Sequence, residues 1–367
     1  MKLMLFSDLH LDTQFHWAGP QLGRARRNAL RETLRRIIVL ADERHVDALL
    51  CGGDLYEQDR FSPDTTSFLV DAFAEVDVPV YLAPGNHDWY GPASLYRLAD
   101  WSPNVHVFTQ DHLAPVTLAD GLTLWGAAHC APANTDGFLE GGFTVDRAGV
   151  NLALFHGSET AALGFQDGGK APHAPFNGEQ IVAAGIDHAF LGHFHCPRDA
   201  RRHTYPGNPD PLSFGETGQR GPVLFTVNGD GSVARERFTV ATSQVTSIDV
   251  ELGGVTSSSA VRDRVGEAIA GLSGVVRVTL TGDVGPDVNV DLGDLTDVGS
   301  HLDALVSRLG RVEVTYDFAA LASEQTVRGR FVRDVQSAPE VDEDTRRRVL
   351  VTGLRALDGR TAELEVH

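Results

Sequence analysis

The sequence is poor in several things, and each shortage narrows what the chain can be. Three cysteines (Cys51, Cys130, Cys196) form no CxxC pair and leave one over. That excludes a disulfide framework or a thiolate zinc knuckle and suits a reducing compartment. No apolar run approaches the roughly 18–20 residues that span a bilayer. The first residues run directly into a strand-like segment, Leu3–Phe6, with no leader-like apolar region before a small-residue cleavage site. The expected location is cytoplasmic, away from membranes. Positive charge is also short, because the formal net charge is -19 and only Lys2 and Lys170 are lysines. A generally basic nucleic-acid coat is therefore excluded. An enzyme that meets phosphate through bound cations is not, since formal charge omits them.

What is present is a core-forming composition, 42% hydrophobic over 367 residues, long enough for two domains. Short apolar runs alternate with amphipathic segments through about residue 240, which predicts a layered α/β domain. Strands are expected at Leu3–Phe6, Ala48–Cys51, Pro79–Ala83, Val105–Phe108, Leu122–Trp125, Asn151–Phe155 and His188–Leu191. A hairpin is expected to join Pro222–Val227 and Val233–Thr239 through Asn228-Gly229-Asp230-Gly231. The first helix is expected over Gln21–Arg44, with Leu30, Leu34, Ile37, Ile38 and Ala41 on one face. Residues 241–317 predict a small α/β unit: strand Val245–Leu252, an amphipathic stretch Ala260–Leu272, strand Val275–Thr281, helix Val298–Leu309 and strand Arg311–Tyr316. In the C-terminal extension, 318–367, Thr326–Val332 looks β-like and Thr345–Leu357 helical after a polar break at Ser337–Glu343.

The chemistry lies at strand ends. Asp8 and His10 follow the first strand, Asp54 the second and Asn86-His87 the third. His156 ends the strand Asn151–Phe155, and His193 and His195 follow the strand His188–Leu191. Ligands of open α/β sheets collect at the carboxyl ends of strands, so five strands deliver these side chains to one rim. Gly52, Gly53, Gly85 and Gly192 beside them permit tight turns and close backbone approach. The mixed oxygen and nitrogen donors suit Mn, Fe or Zn. Seven candidate ligands exceed one tetrahedral ion. Two divalent ions about 3.5–4 Å apart and sharing a carboxylate would use them all, gripping phosphate oxygens and activating water. His87 is then free to protonate the leaving oxygen.

The series Asp8-x-His10, Gly53-Asp54, Gly85-Asn86-His87-Asp88, His156 and Gly192-His193-x-His195 resembles the calcineurin-like metallophosphoesterases. The stretches Ser7–Asp12, Gly53–Tyr56, Asn104–Phe108 and Tyr205–Pro209 are similar to the SbcD and YhaO-type nuclease subunits of DNA repair. The resemblance covers roughly residues 1–240, and the α/β unit of residues 241–317 stands where that family carries its capping domain. It implies a sandwich of two sheets flanked by helices, with Asp8, His10 and His195 on one ion, Asn86, His156 and His193 on the other, and Asp54 bridging. It also implies hydrolysis of DNA phosphodiester bonds with Mn, an SMC-like coiled-coil ATPase partner of the SbcC/YhaN type, and a homodimer. A small-molecule phosphodiesterase and a non-catalytic scaffold subunit are the rival readings. Two positions depart from the related nucleases: Glu57 stands three residues after Asp54 where His or Asp is frequent, and Trp89 where a small Ser is frequent. Arg198, Arg201, Arg202 and His129 are candidate substrate-binding residues from their places near the rim.

Overall fold

In the computed structural model of the chain, which describes residues 1–133, 135–146, 148–161, 172–339 and 341–359, the apolar runs of the first part are strands buried on both faces. One six-stranded sheet has the order β12 (Val233–Arg237), β11 (Val223–Val227), β1 (Lys2–Phe6), β2 (Ala48–Cys51), β3 (Val80–Leu82), β4 (Val105–Val107). The second has the order β5 (Ala114–Ala119), β6 (Leu122–Gly126), β7 (Val150–His156), β8 (His188–Gly192), β10 (His203–Tyr205), β9 (Arg198–Asp199). The steps β1–β2–β3–β4 and β6–β7–β8 are parallel, so their carboxyl ends point the same way within each sheet.

Side-chain alternation sorts residues into layers. On β1 and β2, Leu3, Leu5, Ala48 and Leu50 join Leu152, Leu154 and Phe190 from the other sheet in the core between the sheets. Their neighbours Met4, Phe6, Leu49 and Cys51 face outward against α1 (Pro20–Glu43) and α2 (Pro63–Ala74), through Leu30, Leu34, Ile37, Leu69 and Phe73. On the far side, Ala153, Phe155, Ala189 and Leu191 pack against Ile181 of α4 (Gly178–Ala183). Strands covered on both faces read as continuous apolar runs, which is why they were legible. A short α3 (Leu95–Leu98) follows β3.

This unit ends at Val245 and a second opens at Thr246, within the strand that begins at Val245. The second unit holds a three-stranded sheet, β13 (Val245–Glu251), β14 (Val275–Val284) and β15 (Ala304–Val314), covered by α5 (Ser258–Ile269) through Val261, Val265 and Ile269. Two expectations are corrected here. The segment Val298–Leu309 is not a helix: its latter half opens β15, parallel to β14 from Val275↔Ala304 onward. Leu302, Leu305 and Leu309 have helical spacing, but pairing with β14 wins and leaves Leu309 52% exposed. Thr326–Val332 is not β-like either: Thr326 caps α7 (Val327–Gln336) by accepting from the Gly329 N–H at 3.1 Å. A side-chain cap accepts from one of the four orphan N–H donors of a helix start and fixes where it begins.

The expected C-terminal helix is α8 (Glu343–Leu357), capped by Asp342 on the Thr345 N–H at 2.9 Å. With α6 (Phe318–Ser323) and α7 it encloses Leu321, Val332, Leu350 and Leu354. The apolar stripe of α8 therefore divides. Leu350 and Leu354 are buried within their own unit, and Val349 and Leu357 are exposed. No helix among the described residues is long and apolar enough to cross a membrane.

Candidate metal centre

The loops leaving β1 and β2 run side by side beyond the sheet. The Asp8 and His10 amides donate to the Gly53 and Asp54 carbonyls at 2.9 Å each, and Leu11 to Leu55 at 3.0 Å. This continued pairing is reached with left-handed backbone at Asp8 (φ 56), His10 (φ 49) and Asp54 (φ 52), conformations that non-glycine residues adopt at a cost of order 1–3 kcal/mol each. His193 also has a positive φ, of 108. The ends of the two sheets touch at Gly52 and Gly192, where a Cβ on Gly192 would lie 2.2 Å from the Gly52 carbonyl oxygen. Glycine is required there for the His156 and His193 loops to meet those of Asp8 and Asp54.

The rim residues converge into two clusters, joined by a third grouping of His10, Asp54 and His87. In the first, Asp8, His10 and His195 offer donor atoms within 4.8 Å of one another; in the second, Asp54, His156 and His193 do the same. Asp54 Oδ2 lies 3.2 Å from His156 Nε2 and 3.6 Å from His10 Nε2, so one carboxylate oxygen stands between the clusters. Asn86 Oδ1 is 3.1 Å from His156 Nε2. Asp8, Asp54 and His156 are buried, Asn86 is 9% exposed, and His87 is the exposed member.

The tautomers show what such a cluster can hold. His10 Nδ1 donates to Glu57 Oε1 (2.8 Å), His195 Nδ1 to Glu216 Oε1 (2.8 Å) and His156 Nδ1 to the Gly52 carbonyl (2.9 Å). In the neutral rings each Nε2 is then a lone pair aimed into the site. His10 Nε2 and His195 Nε2 face each other at 3.2 Å, and His156 Nε2 faces His193 Nδ1 at 3.2 Å. Converging lone pairs beside carboxylates are satisfied by cations, and the donor set fits divalent metals of the Mn, Fe or Zn kind.

Asp88, quoted in the sequence motif without a role, supports this rim. It accepts from the amides of Gly85 (2.6 Å), Asp54 (3.1 Å) and Leu55 (2.6 Å) and from the Tyr96 hydroxyl (2.5 Å), fixing the loops after β2 and β3 to each other. Glu57 carries more than its sequence position suggested. It also accepts from His87 Nδ1 at 3.0 Å, so one carboxylate holds both His10 and His87. Burial alone would raise Glu57, but the bonds from the two imidazoles pull it to about 2. Burial lowers His87, yet the Asp54 carboxylate and then Glu57 outweigh it and hold the ring at about 9. Glu216 had no signal at all, since it lies ten residues beyond Pro206 and reaches His195 only through the loop that follows β10.

The substrate-side expectations fare differently. His129 is fully buried and donates through Nε2 to the His156 carbonyl at 2.8 Å, in the floor beneath the rim. Burial above all holds it at about 3. Arg198 pairs with Glu159 at 3.1 Å, Arg202 donates to the Asp187 carbonyl at 2.9 Å, and Arg201 is exposed; the clusters above include none of the three.

Two facing sheets with a rim of Asp, Asn and His at their strand ends define a metal-dependent hydrolase of the sandwich type. Residues 1–197 match the model of the calcineurin-like phosphoesterase family, and the chain belongs to that family, whose members use a dimetal centre to hydrolyse phosphoesters. It is 27% identical over 260 residues to the uncharacterized metallophosphoesterase YhaO of Bacillus subtilis, covering 66% of this chain and 62% of that one. It is 26% identical over 277 residues to the DNA double-strand break repair protein Mre11 of Methanopyrus kandleri, covering 66% and 58%. The chain thus spans less than two thirds of either relative. Among solved structures, a dimetal phosphatase from Danio rerio aligns over 61% of this chain and 92% of its own, at 11% identity and a TM-score of 0.35.

Proposed function

We propose that the chain hydrolyses DNA phosphodiester bonds with two divalent ions, Mn foremost, as the nuclease subunit of an SbcCD-like repair assembly. The observation that carries the two-ion reading is Asp54, whose one oxygen stands between two sets of converging donors. Asp8, His10 and His195 would hold one ion and Asn86, His156 and His193 the other. When bound, such a pair neutralises phosphate oxygens and lowers the pKa of water into the neutral range. His87 supplies the other half of the chemistry. Its Nδ1 is fixed on Glu57 and its side chain is 45% exposed, so Nε2–H can protonate the departing oxygen.

The DNA reading is supported by similarity to a break-repair protein that extends well past the residues matched by the family. A coiled-coil ATPase partner and a homodimer belong to the same reading, and Val349 and Leu357 on α8 are exposed apolar positions for either contact. Labelled oligonucleotides should be cleaved in Mn in preference to bis-p-nitrophenyl phosphate and cyclic nucleotides. A preference for the small diesters would replace DNA by a small-molecule substrate and leave the metal centre standing.

A further inference from the structure

Three of the four tryptophans hold the fold together, and one does not. Trp17 donates its indole N–H to the Leu212 carbonyl (3.2 Å), Trp101 to the Tyr96 carbonyl (3.0 Å) and Trp125 to Asn151 Oδ1 (2.9 Å). Each of the three also packs against another ring, Trp17 on Phe15, Trp101 on Phe73 and Trp125 on Phe143, and each belongs to or borders an apolar core. Trp89 has none of this. Among the described residues its N–H meets no acceptor, its ring meets no other ring, and no apolar cluster includes it, although it is half-buried. An indole that serves the core normally finds a partner for its N–H.

The backbone around Trp89 is nonetheless fixed on both sides. Asp88 before it accepts from the amides of Gly85, Asp54 and Leu55 and from the Tyr96 hydroxyl. Tyr90 after it donates its amide to the His129 carbonyl at 2.7 Å, and the His87 carbonyl accepts from the Gln58 amide at 2.9 Å. The pyrrole edge of the ring lies along Gly91, where an added Cβ would meet Cδ1 and Nε1 at 3.6 Å. A firmly seated aromatic ring with no protein ring against it therefore stands two residues from His87.

We propose that Trp89 is the platform on which the base of the leaving nucleotide stacks. His87 gives its proton to the sugar oxygen of that nucleotide, and Trp89 flanks the same side of the scissile bond. Stacking tolerates any base and asks for no positive charge, so it gives a chain of net charge -19 a hold on DNA without a basic coat. A small Ser is frequent at this place in the related nucleases, which makes the platform a feature of this chain rather than of the family. It rests on the DNA reading above.

Steady-state hydrolysis by the full chain in Mn tests it, with labelled oligothymidylate set against an abasic tetrahydrofuran chain of equal length. The unmodified chain should prefer oligothymidylate. Trp89→Ala should shrink that preference in kcat/KM by roughly 5–150-fold, the worth of one stacked base, mainly through KM, and Trp89→Phe should keep most of it. Emission provides a second readout should Trp89→Ala fail to fold. In the slow His87→Asn chain, oligothymidylate should quench tryptophan emission, the abasic chain should not, and adding Trp89→Phe should remove the quench. Equal losses on both polymers would make Trp89 a structural residue. An unchanged preference, or a quench that survives Trp89→Phe, would place the base elsewhere. Each of these overturns the platform and leaves DNA hydrolysis standing. Cleavage of bis-p-nitrophenyl phosphate with neither polymer cut would remove the DNA reading, and the platform with it.

Discussion

The unit that carries the rim and the unit that follows it differ in where the backbone is strained. Among the described residues, every non-glycine with positive φ lies in the first unit: Asp8, His10, Asp12, His45, Asp54, Ala174 and His193. Four of these are candidate ligands. In the second unit only glycines, such as Gly254, Gly274 and Gly282, adopt that conformation. Strain persists only where surrounding structure over-determines it, here the paired loops after β1 and β2 and the Asp88 bonds beneath them. The first unit spends stability on placing side chains, whereas the second is built from relaxed elements around an ordinary core.

The sharpest way to break this contrast is to remove the residue on which both clusters converge. Asp54→Ala should abolish ion binding at both positions and reduce hydrolysis to background, a loss exceeding the roughly 10⁴-fold upper range of a missing general acid. Elemental analysis finding two tightly held ions in that variant would end the bridging role. Next in size is His87→Asn, expected to keep both ions and DNA binding and to lower turnover by roughly 10²–10⁴-fold. Unchanged turnover would place the acid elsewhere.

A pH series separates the same residue from its surroundings. His87 is held at about 9, so it is protonated at neutral pH and loses its proton as pH rises through that value. Dications on Asp54 would offset part of that attraction, so the alkaline limb of kcat should fall at or below pH 9. The limb should be missing in His87→Asn, and its survival there would assign it to another group.

The smallest effect is expected from straining the relaxed unit. Gly353 of α8 lies so close to Phe331 that an added Cβ would sit 2.1 Å from its ring. Gly353→Ala should therefore destabilise the second unit by about 1–3 kcal/mol through overpacking, read as a lower melting midpoint, without changing hydrolysis of a small diester. A comparable loss of turnover would show that the two units are not separable in function.

The same contrast governs how much could be read in advance. At the rim, residue type carries the chemistry. Asp, Asn and His at strand ends announce a metal site whatever the backbone does, and the runs Leu3–Phe6 and Ala48–Cys51 announce strands covered on both faces. In the second unit only apolar spacing was available, and spacing is ambiguous for short segments. Leu302, Leu305 and Leu309 fit a helix until β14 offers a partner, and Val327, Gly329 and Phe331 alternate like a strand until Thr326 caps a helix. Glu216 and Asp88 were hidden for a different reason. Each acts through hydrogen bonds that the fold closes, Glu216 on His195 and Asp88 on the amides of Asp54 and Leu55, and no local pattern marks such a bond.

The paired ions are tested most directly by electron paramagnetic resonance of the full chain at saturating Mn with phosphate present. An exchange-coupled pair spectrum, lost in Asp54→Ala, is the expected result. Only the spectrum of isolated ions in the unmodified chain, with hydrolysis retained, would contradict a centre shared through Asp54.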